Sequence, residues 1–207
     1  MKVLYRIVNA LLAAAMFPVI IFVDFIAFRL STPLVDTVGL QESFSIKFII
    51  DVITGKEAFW YEMIFKNGSG TFTWPVALNP IKGRLIAFAV CFVLIVLIAL
   101  FIIIWSIFSN KRIPILAASI AGLIATIVMI ACFNSAASLF VDGTINIVNV
   151  FSTNWIVSLL GNAVTTDGLI LGGFHNGVLF LFIGLLVWTG AYYLVELGET
   201  KEEKAKI

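Results

Sequence analysis

Four long apolar runs dominate the sequence, and shorter polar stretches separate them. The runs cover about residues 7–30, 85–108, 113–141 and 174–197. Each is long enough to cross a hydrocarbon layer of roughly 30 Å as an α-helix, which takes about 20 apolar residues. Only a helix satisfies its own backbone hydrogen bonds within such a run, because lipid offers no partners. The pattern predicts an all-α integral membrane protein, a four-helix bundle forming one transmembrane domain over residues 1–207.

The first apolar run begins like a secretory signal peptide, with Lys2 and Arg6 at its start. It continues as far as Phe28, which is too long for a cleaved segment. We therefore expect it to remain as a membrane anchor. Pro18 predicts a kink in this helix, because proline lacks the N–H that the helix needs.

The distribution of basic residues predicts the orientation. The N-terminus, the connection 109–112 and the tail after residue 197 all contain lysine or arginine, and four crossings place them on the same side. Lysine and arginine collect on the cytoplasmic side of membrane proteins. We therefore expect a cell-membrane protein with both termini in the cytoplasm. Arg29, Lys82 and Arg84 flank spans on the other side and oppose this assignment.

Two outer loops, residues 31–83 and 142–173, are too long to be plain connectors. Between Ser43 and Gly55, apolar and polar residues alternate with a helical period, which predicts a short amphipathic helix. Shorter helices are predicted near Trp60 in the first loop and after Thr153 in the second. Such helices either pack over the bundle at the membrane surface or bind a partner protein.

Composition supports the interpretation as a membrane protein and limits the classes of partner that the chain is expected to bind. Apolar residues make up 61% of the chain and charged residues only 12%, and the formal net charge is +1. A soluble domain of this size could not bury so much apolar surface, and a nucleic-acid partner would need a basic face. The expected partners are the lipid bilayer and other membrane proteins or copies of the same chain. Cys91 and Cys132 lack metal-ligand spacing, so no metal or cofactor is predicted.

A few polar residues at the predicted outer ends of the spans form the candidate ligand-binding site, because polar groups in a membrane are costly. They are Asp24, Arg29, Arg84, Asn134, His175 and Asn176. The alternative is that the arginines extend to lipid headgroups and that an arginine pairs with the aspartate. No second acid or base has the spacing to make His175 part of a catalytic pair, so no catalytic residue is assigned.

Small residues recur along the third span and predict close helix packing, because they let helix backbones approach one another. They are Ala117, Ala118, Ala121, Gly122 and Ala125.

Three classes of function are compatible with these features. The favoured one is a non-catalytic accessory or scaffold subunit of a membrane protein complex. The first alternative is a transporter or channel component with a polar site at the outer leaflet, although the apolar mid-span stretches offer little to an ion. The second alternative is a membrane-embedded lipid-modifying enzyme that uses His175 with Asp24 or Asp167.

The order of spans, with a long first outer loop and a shorter second one, resembles that of the claudin-like four-helix proteins. That group carries a Trp–Gly-Leu-Trp–Cys–Cys pattern on a sheet in the first loop. Here the first loop contains no cysteine and its pattern is helical. The resemblance therefore concerns topology alone, and it implies no function or site residue for this chain.

Overall fold

The chain is mostly helical. The computed structural model describes residues 2–32, 35–57, 61, 76–145 and 165–205. Its helices are α1 (Lys2–Ala14), α2 (Met16–Phe22), α3 (Ile46–Ile53), α4 (Lys82–Phe108), α5 (Ile113–Val141) and α6 (Phe174–Ala205), with a 3₁₀ turn at Val76–Ile81. Its strands are β1 (Asp24–Thr32), β2 (Val35–Ser45) and β3 (Thr165–Leu171).

Four helical segments are long and apolar enough to cross a membrane, as predicted. They are Val3–Phe22, Leu78–Phe108, Ile113–Phe140 and Phe174–Glu196. The helix α5 has the bounds that the sequence predicts, because a polar connection precedes it and a polar loop follows it. The insertion of these helices into a membrane remains a prediction from their length and composition.

The first span is shorter than predicted. It ends at Phe22, and the chain enters β1 at Asp24, so the prediction of helix as far as residue 30 is wrong. An apolar run rich in aromatic and branched residues suits a buried strand as well as a helix, and periodicity does not separate the two. Here the segment is a strand because it pairs with other strands, and β3 lies far along the sequence.

The strands form a three-stranded antiparallel sheet in the order β2-β1-β3. At its centre Arg29 lies opposite Gln41 on one side and Gly168 on the other. The chain is therefore not purely α-helical, and Asp24 and Arg29 belong to a strand instead of a membrane helix.

The first outer loop also begins with sheet strands that were not predicted, and the helix predicted between Ser43 and Gly55 is present as α3. The helices predicted near Trp60 and after Thr153 lie outside the described residues.

Helix breaks and caps follow local chemistry. The first span is interrupted at Ala15, between α1 and α2. Pro18 has no N–H to donate to the carbonyl four residues earlier, on Ala14, and its ring crowds that carbonyl. At the other short helix, the Ser45 hydroxyl accepts a hydrogen bond from the Phe48 N–H at 3.1 Å. The helix α3 thus begins after Ser45, two residues later than Ser43 suggested, because β2 continues to that point.

The chain folds as two compact units. The hairpin unit contains Met1–Val19, Val90–Met129 and His175–Ile207, and the sheet unit contains Ile20–Ala89 and Ile130–Phe174. In the hairpin unit, apolar side chains from three helices are fully buried: Ile95, Ala99, Ile102, Met129, Phe182 and Leu185. This close packing is the core that positions the polar residues described below.

The sheet unit has its own core. The Phe25 ring lies 5.1 Å from the Phe88 ring and 5.1 Å from the Phe174 ring, measured between centroids. The Phe88 ring in turn lies 5.9 Å from that of Phe133. A second buried cluster contains Ile81, Ala136, Phe140 and Ile145. Offset and edge-on aromatic pairs of this kind add to the stabilisation from area burial.

Candidate functional site

The predicted outer polar residues are distributed over both units. Asp24, Arg29, Arg84 and Asn134 belong to the sheet unit, whereas His175 and Asn176 begin the α6 part of the hairpin unit. The side chains of Asp24, Asn134 and Asn176 are exposed, and those of Arg84 and His175 are partly buried. The side chain of Arg29 lies outside the described part of the chain. A shared ligand site for these six residues therefore stays a prediction.

Among these six residues, Arg84 has the burial and the unsatisfied polar atom that are expected of a ligand-binding side chain. Its Nη1 is buried and has no hydrogen-bond partner among the described residues. A buried guanidinium nitrogen is costly to leave without an acceptor. The Asp24 carboxylate, in contrast, is exposed.

The hairpin unit contains a buried polar cluster that was not predicted from the sequence. Tyr5 and Asn9 on α1, Ser106 on α4 and Thr189 on α6 are each at most 2% exposed. Within the described ranges the Tyr5 hydroxyl interacts with the Thr189 and Asn9 side chains, although none of these four side chains makes a hydrogen bond of standard geometry. Asn9 was the one available signal, as an amide inside an apolar run. Hydroxyl residues are too common in membrane helices to indicate a site.

A cavity of about 380 Å³ lies beside this cluster. Its walls come from the start of α1, the α4–α5 connection and the later part of α6: Tyr5, Phe108, Ser109, Asn110, Lys111, Arg112, Tyr192 and Glu196. The Tyr5 and Tyr192 rings stack with centroids 4.5 Å apart. We call this space the hairpin cavity.

Arg112 is fixed in the wall of the hairpin cavity by two kinds of contact. Its guanidinium forms an ion pair with the Glu196 carboxylate. The same guanidinium lies over the Tyr192 ring, 4.7 Å from the centroid, and 5.8 Å from that of Tyr193. Cation–π contacts of this length hold an arginine in place. Its Nε remains buried without a hydrogen-bond partner in the described structure.

A second depression lies between α1 and α4, and its lining is almost wholly apolar. The groove has a volume of about 320 Å³ and is lined by Val3, Arg6, Ile7, Ala10, Ser106 and Ile107. The Arg6 Nε donates to the Ser106 carbonyl at 2.7 Å, which ties the two helices together. We call this depression the α1–α4 groove.

In the described structure, the buried hydroxyls on the part of α5 that belongs to the hairpin unit are bonded within their own helix. The Ser119 and Thr126 hydroxyls are buried, and each donates to a carbonyl one turn back in its own helix at 2.8 Å. A Cβ at Gly122 would lie 2.3 Å from the Phe182 ring, so these two helices are in close contact there. Among the other small residues of α5, Ala125 is buried, Ala118 is partly buried, and Ala117 and Ala121 are exposed.

The sheet unit presents an apolar face on α3. Ile49, Ile50 and Ile53 are 36%, 50% and 59% exposed, whereas Val52 is buried. Residues three and four apart lie on one face of a helix, so the three isoleucines form a continuous surface. We call it the isoleucine face.

Charged residues occupy another side of α3. Asp51 accepts hydrogen bonds from Lys47 at 2.5 Å and from Lys56 at 3.3 Å. The bond from Lys47 holds the pKa of the Asp51 carboxyl below its usual value, and it raises the pKa of Lys47.

Known proteins provide no guide to the site. Searches against protein families, curated proteins and solved structures each found no match. Within the described residues, no group of three or more histidine, cysteine, aspartate or glutamate side chains is arranged to hold a metal ion.

Proposed function

We propose that this chain is a non-catalytic scaffold subunit that crosses the cell membrane four times and binds another membrane protein through its outer surface. The isoleucine face of α3 is the observation that carries the proposal. Three exposed isoleucines on a short, well-capped helix form an apolar surface that water disfavours, and such surfaces mark interaction sites.

The packing of the helices supports a scaffold over the transporter alternative. A transport path needs polar or charged groups at mid-depth. In the described part of α5, the buried hydroxyls of Ser119 and Thr126 are bonded to their own helix. The Phe182 ring fills the space beside Gly122. These features favour a tightly packed scaffold without a transport path.

The sheet unit gives the proposed partner a structured surface to recognise. The isoleucine face follows directly after β2, which is an edge strand of the described sheet. Edge strands and adjoining apolar helices are common recognition surfaces. We propose that α3 is amphipathic and lies at the outer membrane surface, with its isoleucines against the partner and its charged side in water.

Purification of the tagged full-length chain from native membranes in mild detergent tests this proposal. We expect a membrane protein to co-purify in a fixed molar ratio. Ile50→Lys should abolish the co-purification of this partner, because it places a charge in the apolar contact. Val76→Lys, at a side chain that is 79% exposed in the same unit, is the matched control and should keep the ratio.

Reconstitution of the purified chain into liposomes separates the alternatives. A scaffold alone should give no ion or solute flux above that of empty vesicles. Flux that disappears in Asp24→Asn or His175→Ala would contradict the proposal and favour the transporter. Modification of added lipid that depends on His175 would favour the enzyme.

A further inference from the structure

The hairpin cavity is rich in groups that bind anions. Lys111 and Arg112 supply two cations, and Glu196 supplies one carboxylate, which is engaged by Arg112. Arg112, in the cavity wall, directly precedes α5, whose first turn contains no acidic residue. The N-terminus of a helix carries a partial positive charge and unpaired N–H groups, both of which favour an anion.

Two buried polar atoms of the cavity residues lack a hydrogen bond of standard geometry within the described structure. They are the Nε of Arg112 and the Tyr5 hydroxyl, which lies beside the Thr189 and Asn9 side chains. Both are able to donate a hydrogen bond. Phosphate oxygens only accept, and they form strong, charge-assisted bonds with arginine. The chemistry of the wall therefore matches a phosphate better than a neutral or cationic group.

The depth of the cavity along the spans points to a lipid as the source of the phosphate. The candidate spans begin at Val3 and Ile113 and end at Phe108 and Glu196, and the cavity residues lie at these ends. In a membrane, the ends of spans lie at the level of the headgroups. Basic pockets between helices at this level bind anionic headgroups.

The α1–α4 groove supplies the complementary apolar surface. It is lined by Arg6 and Ile107, whereas the cavity is lined by their chain neighbours Tyr5 and Phe108. Val3, Ile7 and Ile107 are exposed in this groove, and an acyl chain would cover them. Free phosphate would make no use of such a groove.

We propose that the hairpin cavity binds the phosphate of an anionic phospholipid, with an acyl chain of that lipid in the α1–α4 groove. Lys111, Arg112 and the Tyr5 hydroxyl hold the phosphate. The Glu196 carboxylate and the Tyr192 ring position Arg112. This site is independent of the proposed scaffold role, because it lies in the hairpin unit and uses none of the isoleucine face.

Lipid binding to the full-length chain, delipidated in detergent, tests the proposal. Binding is measured by native mass spectrometry and by the shift in melting temperature. The probes are phosphatidylglycerol and phosphatidylcholine with identical acyl chains, together with glycerol 3-phosphate and inorganic phosphate. We expect phosphatidylglycerol to bind most tightly and to raise the melting temperature most. Equal binding of the two lipids would overturn the proposal. An equal effect of inorganic phosphate would identify a phosphate site and overturn its assignment to lipid.

Two substitutions in the cavity and one control sharpen the test. Lys111→Gln should weaken phosphatidylglycerol binding roughly five-fold, the usual effect of one lysine near an anionic surface. Tyr5→Phe should weaken it while keeping the ring stack with Tyr192, so it reports on the hydroxyl even if a charge change disturbs folding. Lys56→Gln removes the same charge from an exposed position in the sheet unit and should leave binding unchanged. Equal losses in Lys111→Gln and Lys56→Gln would refute a specific site.

Discussion

Gly172 joins β3 to α6, and we expect Gly172→Ala to disrupt the sheet unit. The Gly172 N–H donates to the Phe25 carbonyl at 3.0 Å. A Cβ at Gly172 would lie 2.0 Å from the Asp24 carbonyl oxygen, 1.0 Å inside the 3.0 Å below which real Cβ contacts essentially never occur. The obstacle is backbone in the central strand, so no side-chain rotation relieves it.

The size of the effect follows from three contributions. Overpacking costs about 1–3 kcal/mol, and a clash with backbone belongs at the upper end. Weakening the hydrogen bond to Phe25 adds about 1 kcal/mol. The lower chain entropy of alanine in the unfolded state returns about 0.4–1 kcal/mol. We expect a net destabilisation of roughly 2–3.6 kcal/mol, which corresponds to a fall in melting temperature of about 4–14 °C for a chain of this size.

Gly173→Ala is the matched control for this measurement. Among the described residues, a Cβ at Gly173 would meet only the Val23 Cγ1, at 3.4 Å, which is ordinary contact. Thermal unfolding of both purified variants, with hydrogen exchange of the β1 and β3 amides, gives the comparison. Gly172→Ala should melt earlier and exchange faster across this strand pair, and Gly173→Ala should match the wild type. Equal melting of the two variants would refute the close approach of the strands.

Two further predictions concern α5 and α3. Gly122→Ala should lower the melting temperature, because its Cβ would lie 2.3 Å from the buried Phe182 ring. A Cβ at Gly184 would meet nothing within 4 Å among the described residues, so Gly184→Ala should leave the melting temperature unchanged. Adding Phe182→Leu to Gly122→Ala should recover part of the loss, and no recovery would argue against this contact. The lowered pKa of Asp51, caused chiefly by its bond from Lys47, makes a contribution to stability that is present above the unfolded pKa. Acid titration of melting temperatures should show the difference between wild type and Asp51→Asn disappear as the pH falls through the folded pKa, and a constant difference would contradict it.

The sequence predicted the helices whose ends have local signals. The helix α5 lies between a polar connection and a polar loop, with Pro114 in its first turn, so its bounds could be placed to the residue. The break near Pro18 was predictable for a similar reason, since proline acts on the carbonyl one turn earlier. Local chemistry of this kind is readable without tertiary contacts.

The sheet and the polar cluster could not be predicted in the same way. Ile26 pairs with Phe44 and with Leu171, and the second partner lies far along the chain, beyond the three described helices α3, α4 and α5. Nothing within residues 24–32 distinguishes such a strand from the end of a helix. Likewise, Tyr5 and Thr189 look ordinary in sequence, and only helix packing shows that they are buried together.

The central claim is that four helices cross the membrane and that the α4–α5 connection lies on the cytoplasmic side. Single cysteines at the exposed positions Lys56, Asn110 and Thr144, in a chain with Cys91 and Cys132 replaced by alanine, test it directly. An impermeant thiol reagent added to intact cells should label the cysteines at Lys56 and Thr144, and should label the one at Asn110 only after the membrane is opened. Labelling of Asn110 alone in intact cells would invert the orientation, and the absence of labelling at all three positions until lysis would contradict the membrane-spanning arrangement.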